Sequence, residues 1–575
     1  MNQHIDTVAV DDNGNRQARQ AAYRRASWPL NLTPASVGYL SQGHGLILGN
    51  ERDVRLAARA LLTQGMTSLT LLFNEPIPPS TTPPSEGDDD DERLLAETSG
   101  LTHHRLTREQ AASLRLEGYL GRFRVTLHRE EGPLDLARAL ADRDHFDQIL
   151  DLGETPSLAL ELPPPGYVAT RWTDPQTPSR LEAFASLIGE FDKPRYFQVH
   201  QALCAHSASG NVGCTRCLEV CPADAIQSQR SRVESRIEID PYRCHGVGSC
   251  SSACPTGAIE FRMPESHRQQ ATLLAWLTAY REAGGGQPVV RFVASEHVPP
   301  DESPAGHVLD VPLEELGAAG HDQWLTALAG GAAEVRLQHH PDMPARLVTF
   351  IDDQLTQAHA LLEALGHPAE RISVLNVGDA TARDALPAHP PLLADGVWLD
   401  GTGKRDRLNQ VLDRLATLGQ QDGVRYAMPR EAAYGGIAVD TQRCTLCMAC
   451  VASCPTPALA AGDVSPELSF READCVQCGL CADACPEDAI ALLPGFLADP
   501  ARNQRHVCHA EAAFDCIRCG KPFATASTIA TIKAKLADHP YFAGEAISRI
   551  EMCEDCRVRD VWRDMARDPE SQLKV

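Results

Sequence analysis

Cys444-x2-Cys447-x2-Cys450-x3-Cys454-Pro455, followed by Cys475-x2-Cys478-x2-Cys481-x3-Cys485-Pro486, is the stretch from which the rest of the chain is read. Cysteines at i, i+3 and i+6 let one tight loop wrap three corners of an iron–sulfur cube. The fourth thiolate, followed by proline, reaches the cube held by the other motif. The spacing implies Cys444, Cys447, Cys450 and Cys485 as one ligand set, and Cys475, Cys478, Cys481 and Cys454 as its neighbour. Structural zinc is the alternative. Zinc favours two CxxC pairs across a long spacer and needs neither a third Cys at the same pitch nor the Cys-Pro step. Two [4Fe–4S] clusters are therefore expected.

Residues 437–495 as a whole resemble a bacterial two-cluster ferredoxin. An altered copy runs from Phe197 to Phe261, reading Cys204-x9-Cys214-x2-Cys217-x3-Cys221-Pro222 and then Cys244-x5-Cys250-x3-Cys254-Pro255. Aligned with the later copy, a first-Cys position falls on Asn211 and a middle position on Val247. Cys204 lies seven residues early, but the loop Ala205 to Gly213 can return it, giving Cys204, Cys214, Cys217 and Cys254 as a full set. Cys244, Cys250 and Cys221 then leave a vacancy opposite Val247, which cannot ligate iron. Three outcomes fit: a [3Fe–4S] cluster, a [4Fe–4S] cluster with an outside ligand such as His245, or a lost site.

The tail carries Cys516-x2-Cys519-Gly520 and Cys553-x2-Cys556. Two such pairs make a four-cysteine zinc site, with a helix expected between them over Ala524 to Lys535. Rubredoxin-type iron is the runner-up, and Cys508 is left over as an alternative ligand or an ordinary thiol.

Between the cysteine motifs the pattern alternates strand and helix. Gly45 to Gly49, Asp53 to Gln64 and Ser68 to Phe73 read as β–α–β, but Gly43, Gly45 and Gly49 do not fit GxGxxG. Pro76 to Glu92, ending in Asp88 to Asp91, reads as a disordered or surface linker. Arg122 to Leu127 and Leu158 to Leu162 read as strands around a helix at Leu134 to Asp142. Residues 264–443 contain no cysteine. There Leu273 to Ala283, Leu313 to Leu328 and Met343 to Leu365 read as helices. Pro288 to Val293, Ala333 to Leu337 and Ile372 to Val377 read as strands, with a hinge at Gly284 to Gly286. That alternation predicts a parallel sheet covered by helices. The region resembles the thiol-bearing domain of the small iron–sulfur subunit of methyl-viologen-reducing hydrogenase, without its cysteines, so a scaffold or docking role is expected. The pair His339-His340 could form a ligand site, but without nearby cysteine partners a surface loop is expected.

The fold class expected is α/β plus α+β, with two α/β domains, each followed by a ferredoxin-like dicluster module, and a C-terminal zinc-knuckle tail. The boundaries read as a lead-in at 1–40, an α/β domain at 41–195 with the acidic linker 76–92, and a first module at 197–263. A cysteine-free α/β domain at 264–430, a second module at 437–495 and the tail at 500–575 follow. The repeated order points to an ancient duplication.

With 53 basic against 77 acidic residues, a charge of −24 disfavours nucleic acid as a partner. Clustering of the 20 cysteines in close-spaced motifs implies reduced, metal-binding thiolates rather than disulfides. No apolar leader and no run of 18 apolar residues is found, so a cytoplasmic protein without a membrane span is expected. No nucleophile–base pair, phosphate loop or flavin fingerprint stands out, so the chain is expected to carry electrons between redox partners rather than to transform a substrate. An accessory or assembly role and a permanent electron-transfer subunit of an oxidoreductase complex are the alternatives. The phrases Cys204-Ala-His-Ser, Gly213-Cys-Thr-Arg-Cys-Leu218, Cys516-Ile-Arg-Cys-Gly-Lys-Pro-Phe523 and Met552-Cys-Glu-Asp-Cys-Arg557 resemble multi-ferredoxin proteins associated with molybdenum-type formate dehydrogenases. The resemblance implies formate-derived electrons passing to or from a partner.

Overall fold

The computed structural model describes residues 11–29, 35–75, 86–206, 212–230, 235–298, 305–376, 378–393, 396–419, 421–463, 465–542 and 544–567. Asn211, most of the loop before Cys214 and the proline-rich half of the 76–92 segment lie outside them. Five parallel strands build the first sheet, in the order Thr102–Arg105, Leu69–Glu75, Gly45–Asn50, Gln148–Asp151, Tyr167–Ala169. Asn50 caps helix Glu51–Thr63 by accepting from the Asp53 amide at 3.0 Å, so the β–α–β reading holds there. Leu158 to Leu162 is irregular, contrary to the strand expected. Its Leu158 amide instead donates to Tyr167 Oη, at 3.2 Å. The acidic run Asp88 to Asp91 is helical, lying within Glu86–Thr98. Leu94 is buried further along the same helix.

The second sheet is four-stranded and parallel, in the order Val308–Leu313, Val289–Ala294, Glu334–Gln338, Ile372–Leu375. Every residue of Val289–Ala294 is buried, which fits a strand covered on both faces. Arg291 reaches Asp310 on the next strand through two hydrogen bonds, at 2.6 and 2.9 Å. The helix expected over Leu313 to Leu328 divides into the end of a strand, a short turn at Leu316–Ala318, and helix His321–Ala329. Glycines at Gly317 and Gly320 interrupt the apolar run. A Cβ at Gly317 would meet the Val247 carbonyl oxygen at 2.6 Å, so the turn is pressed against the first cysteine module.

Two expectations change at the N-terminal side. Helix Asp12–Arg25 packs on helix Ser266–Glu282 of the second α/β unit, with Ala18 and Ala22 fully buried. Asn15 Oδ1 accepts from Tyr280 Oη (2.7 Å) and from the Gly286 amide (2.9 Å). The lead-in helix is thus part of the later core, whereas Ser36–Ser41 pairs with Gly189–Pro194. Gly285 is packed rather than part of a free hinge, because a Cβ there would meet the Tyr280 ring at 2.4 Å.

Candidate metal centres

The cysteine loops owe their tight curvature to left-handed residues. Leu446 (φ 54°) and Met448 (61°) flank Cys447, and Gln477 (52°) and Gly479 (83°) flank Cys478. Non-glycine residues there cost about 1–2 kcal/mol each, so the conformation has to be held by its surroundings, as where Gln477 Nε2 donates to the Gly436 carbonyl at 2.9 Å. The conformation turns backbone amides toward sulfur. The Leu446 amide faces Cys444, the Gln477 amide faces Cys475, and the Ala489 amide donates to Cys485 Sγ at 3.3 Å. The earlier copy repeats this device, with Gly246 (78°) and Gly248 (92°) around Val247 and an Ala225 amide 3.4 Å from Cys221 Sγ.

The thiols gather in groups. Burial, together with the neighbouring sulfurs of Cys447, Cys444 and Cys485, raises Cys450 to about 11. Cys481 is pushed up to about 12 by burial, then by Cys475, Cys478, Cys454 and, from the adjoining group, Cys450. In the earlier copy burial raises Cys217, and Cys254, Cys214 and Cys204 add to it. Burial likewise raises Cys250, beside Cys244 and Cys221 and, in the adjoining group, Cys217 and Cys254. Every cysteine is a free thiol. Crowded, buried thiols of this kind resist ionisation by themselves, and a cationic iron–sulfur core relieves both the burial cost and the mutual repulsion. The donor set fits the clusters.

Val247 packs against the core of the second α/β unit, and His245 turns away from the sulfurs to donate from Nε2 to the Pro163 carbonyl (2.9 Å). Cys508, from strand His506–Ala510, lies beside Cys444 and apart from the tail cysteines.

The two copies adjoin where Cys214 and Cys478 border one small apolar patch. Cys478 is raised to about 11 by burial, with Cys475, Cys454 and also Cys214 of the earlier copy adding to it. Ala205, Ala433 and Val476 form the dry patch around that junction. Arg216 crosses it, approaching Cys214 Sγ at 3.5 Å and donating to the Glu431 (2.9 Å) and Val476 (3.3 Å) carbonyls. Helix Lys404–Ala416 clamps both copies from one end. Lys404 Nζ donates to the Ser251 and Ser252 carbonyls at 2.9 and 2.8 Å. Its neighbour Arg405 donates to Ala473 and Cys475, both at 2.9 Å, and lies 4.8 Å from the Tyr434 ring centroid. Arg405→Ala is expected to cost about 2–4 kcal/mol, since charged hydrogen bonds are lost and two carbonyls are left unpaired. A lower urea midpoint for loss of visible absorbance checks it.

In the tail, one ligand atom each from Cys516, Cys519, Cys553 and Cys556 lies within 4.8 Å of the others. Gly520 (φ 69°) closes the first turn and donates its amide to the Cys516 carbonyl at 2.9 Å. The second pair opens helix Glu554–Arg567. Burial works to raise Cys516, but the amides of Cys553, Arg518 and Cys519 bring it down to about 6. The intervening helix, Ala526–Leu536, docks on the second copy, where Thr525 Oγ1 donates to the Thr445 carbonyl at 3.1 Å.

Comparison with known proteins supplies the assignment. Residues 212–258 and 443–490 each match a 4Fe-4S dicluster domain. The chain therefore carries two iron–sulfur dicluster domains. It is 38% identical over 68 residues to an Escherichia coli (strain K12) protein named as an electron transport protein, YsaA, a match covering 12% of this chain and 40% of that one. It is 33% identical over 73 residues to NADH-quinone oxidoreductase subunit I 2 of Geobacter metallireducens, covering 12% of this chain and 56% of the relative. The chain thus spans about half the length of these curated relatives. Among the described residues no helix is long and apolar enough to cross a membrane.

Sequence reading missed three features. Arg216, Lys404 and Arg405 are ordinary basic residues in the linear sequence. His340, expected in a surface loop, is only 7% exposed.

Proposed function

We propose that this chain is an iron–sulfur electron-transfer protein that relays single electrons between a partner oxidoreductase and a second redox protein. The observation that carries it is the unbroken line of sulfur neighbours, from Cys450 to Cys481, Cys478 to Cys214 and Cys217 to Cys250. Cys444, Cys447, Cys450 and Cys485 hold the outermost cluster; Cys475, Cys478, Cys481 and Cys454 hold the next. Cys204, Cys214, Cys217 and Cys254 hold the third, and Cys221, Cys244 and Cys250 hold a three-iron centre opposite Val247. A bound [4Fe–4S] cluster accepts or releases one electron at a potential tuned by hydrogen bonds to sulfur and by solvent access. The chain's part is to supply those amide donors and to keep the inner thiols dry. Cys447 is exposed whereas Cys250 is 6% exposed, so the Cys447 end is the one open to a partner.

Cys516, Cys519, Cys553 and Cys556 hold zinc, which does no redox chemistry and fastens the tail over the Cys444 loop. The partner we favour is a molybdenum-type formate dehydrogenase in the cytoplasm, supported by the four sequence phrases quoted above. Affinity purification of the chain from its native host under anaerobic conditions tests this. Formate-dependent reduction of the clusters in the purified assembly is expected. Transfer of iron to an apo-protein acceptor, with no redox enzyme attached, would identify an assembly factor instead.

A further inference from the structure

The seam between the two cysteine modules carries two guanidinium groups, one beside each group of thiols that adjoins there. Arg216 Nη1 lies 3.5 Å from Cys214 Sγ, and the same side chain donates to the Glu431 and Val476 carbonyls at 2.9 and 3.3 Å. The guanidinium is thus tied to the later module while it touches a sulfur of the earlier one. On the other side Arg405 donates to the Ala473 and Cys475 carbonyls, both at 2.9 Å. Gln477 Nε2, a neutral donor, reaches Cys475 Sγ at 3.3 Å.

Among the described residues neither arginine has a carboxylate partner, since their acceptors are carbonyls and a sulfur. Nearby acids are committed elsewhere or face water. Asp474 pairs with Arg471, Asp322 faces Lys404, and Glu219 and Glu431 stand at the exposed rim of the cavity that both arginines line. The outermost group of thiols differs. Arg443, beside Cys444, pairs with Asp488 at 3.6 Å, and Lys535 pairs with Glu487 at 2.6 Å. Those two cations are 52% and 58% exposed, so a carboxylate and water screen each of them.

Reduction adds one negative charge to a cluster, and burial makes that charge costly. Beside the exposed Cys447 water offsets the cost. At the seam Ala205, Ala433 and Val476 are buried, and a fixed cation has to offset it instead. We propose that Arg216 and Arg405 are redox-tuning residues, whose unpaired charges hold the two seam clusters at potentials that an electron from the Cys447 end can reach. This rests on the relay reading above. The step concerned moves one electron across the seam, oxidising one cluster and reducing the other, with no bond made or broken and no proton moved. A guanidinium stays charged at any working pH, and its attraction for the added electron grows as the surroundings become less polar. Arg216, in contact with sulfur itself, should have the larger effect of the two.

The test uses anaerobic full-length chain, with iron and sulfide counted before an EPR-monitored redox titration. Arg216→Gln should lower the potential of one centre by at least a tenfold change in its one-electron equilibrium, roughly 59 mV, at unchanged iron. Arg405→Gln should lower a different centre. Arg216→Lys keeps the charge without the planar fork and should recover part of the shift. Arg443→Gln/Asp488→Asn removes a neutral pair and should move no centre. If Arg216→Gln loses iron, Arg405→Gln carries the measurement, and iron loss from both would make the arginines structural clamps and overturn the proposal. Wild-type potentials in both variants, with clusters intact, would overturn it and leave the relay reading standing. Wild-type chain without iron or sulfide would refute the relay reading and this proposal with it.

Discussion

Cys478→Ala is expected to cut the chain into two halves that no longer exchange electrons, while each half keeps its outer centre. Cys478 is the thiol of its group that comes near Cys214, and the two copies touch there through a small dry patch. Removing it should lower iron by up to one four-iron cluster. The crossed ligand Cys454 belongs to the loop that wraps the neighbouring group, so that loop should persist. Rapid mixing with a reductant that acts on the exposed Cys447 end would then reduce the outermost centre and leave those of the earlier copy oxidised. Cys508→Ala is the control, because Cys508 borders Cys444 without belonging to a group of four, and its iron and rates should match wild type. If Cys478→Ala still equilibrated all centres as fast as wild type, the route through Cys214 would be wrong.

The four-fold cysteine spacing carried most of this in the sequence, because a cube-wrapping loop needs its ligands close together along the chain. The same locality explains why parallel strands such as Val289–Ala294 and Glu334–Gln338 were readable from their apolar runs. What joins distant segments was not readable. Lys404 and Arg405 are adjacent in sequence, yet their partners, Ser251 and Cys475, lie on either side of them along the chain. No local pattern encodes that a helix end will supply two cations to two sets of carbonyls. The strand expected at Leu158 to Leu162 failed for a related reason, since Leu158 packs on the core of the first sheet and Leu162 on the earlier cysteine module instead of pairing in one sheet. Helix Asp12–Arg25 is strongly polar in composition, and only Ala18, Ala22 and Asn15 reveal its buried face once Tyr280 is opposite.

Val247→Cys is expected to turn the three-iron centre proposed at Cys221, Cys244 and Cys250 into a four-iron one. Gly246 and Gly248 adopt the same left-handed conformation on either side of Val247 that Leu446 and Met448 adopt around Cys447. The loop has therefore kept a ligand-bearing backbone and lost the sulfur alone. A thiol is smaller than the valine side chain, so the packing loss against the second α/β core is about 1 kcal/mol. Anaerobic protein should gain about one iron per chain, and an oxidised-state three-iron EPR signal present in wild type should vanish. His245→Ala should leave that signal unchanged, because His245 Nε2 is committed to the Pro163 carbonyl. An unchanged iron count in Val247→Cys, with no three-iron signal in either protein, would mean that Cys221, Cys244 and Cys250 do not hold a cluster. The line of centres would then end at Cys217, and the inner terminus of the relay would be the cluster beside Arg216.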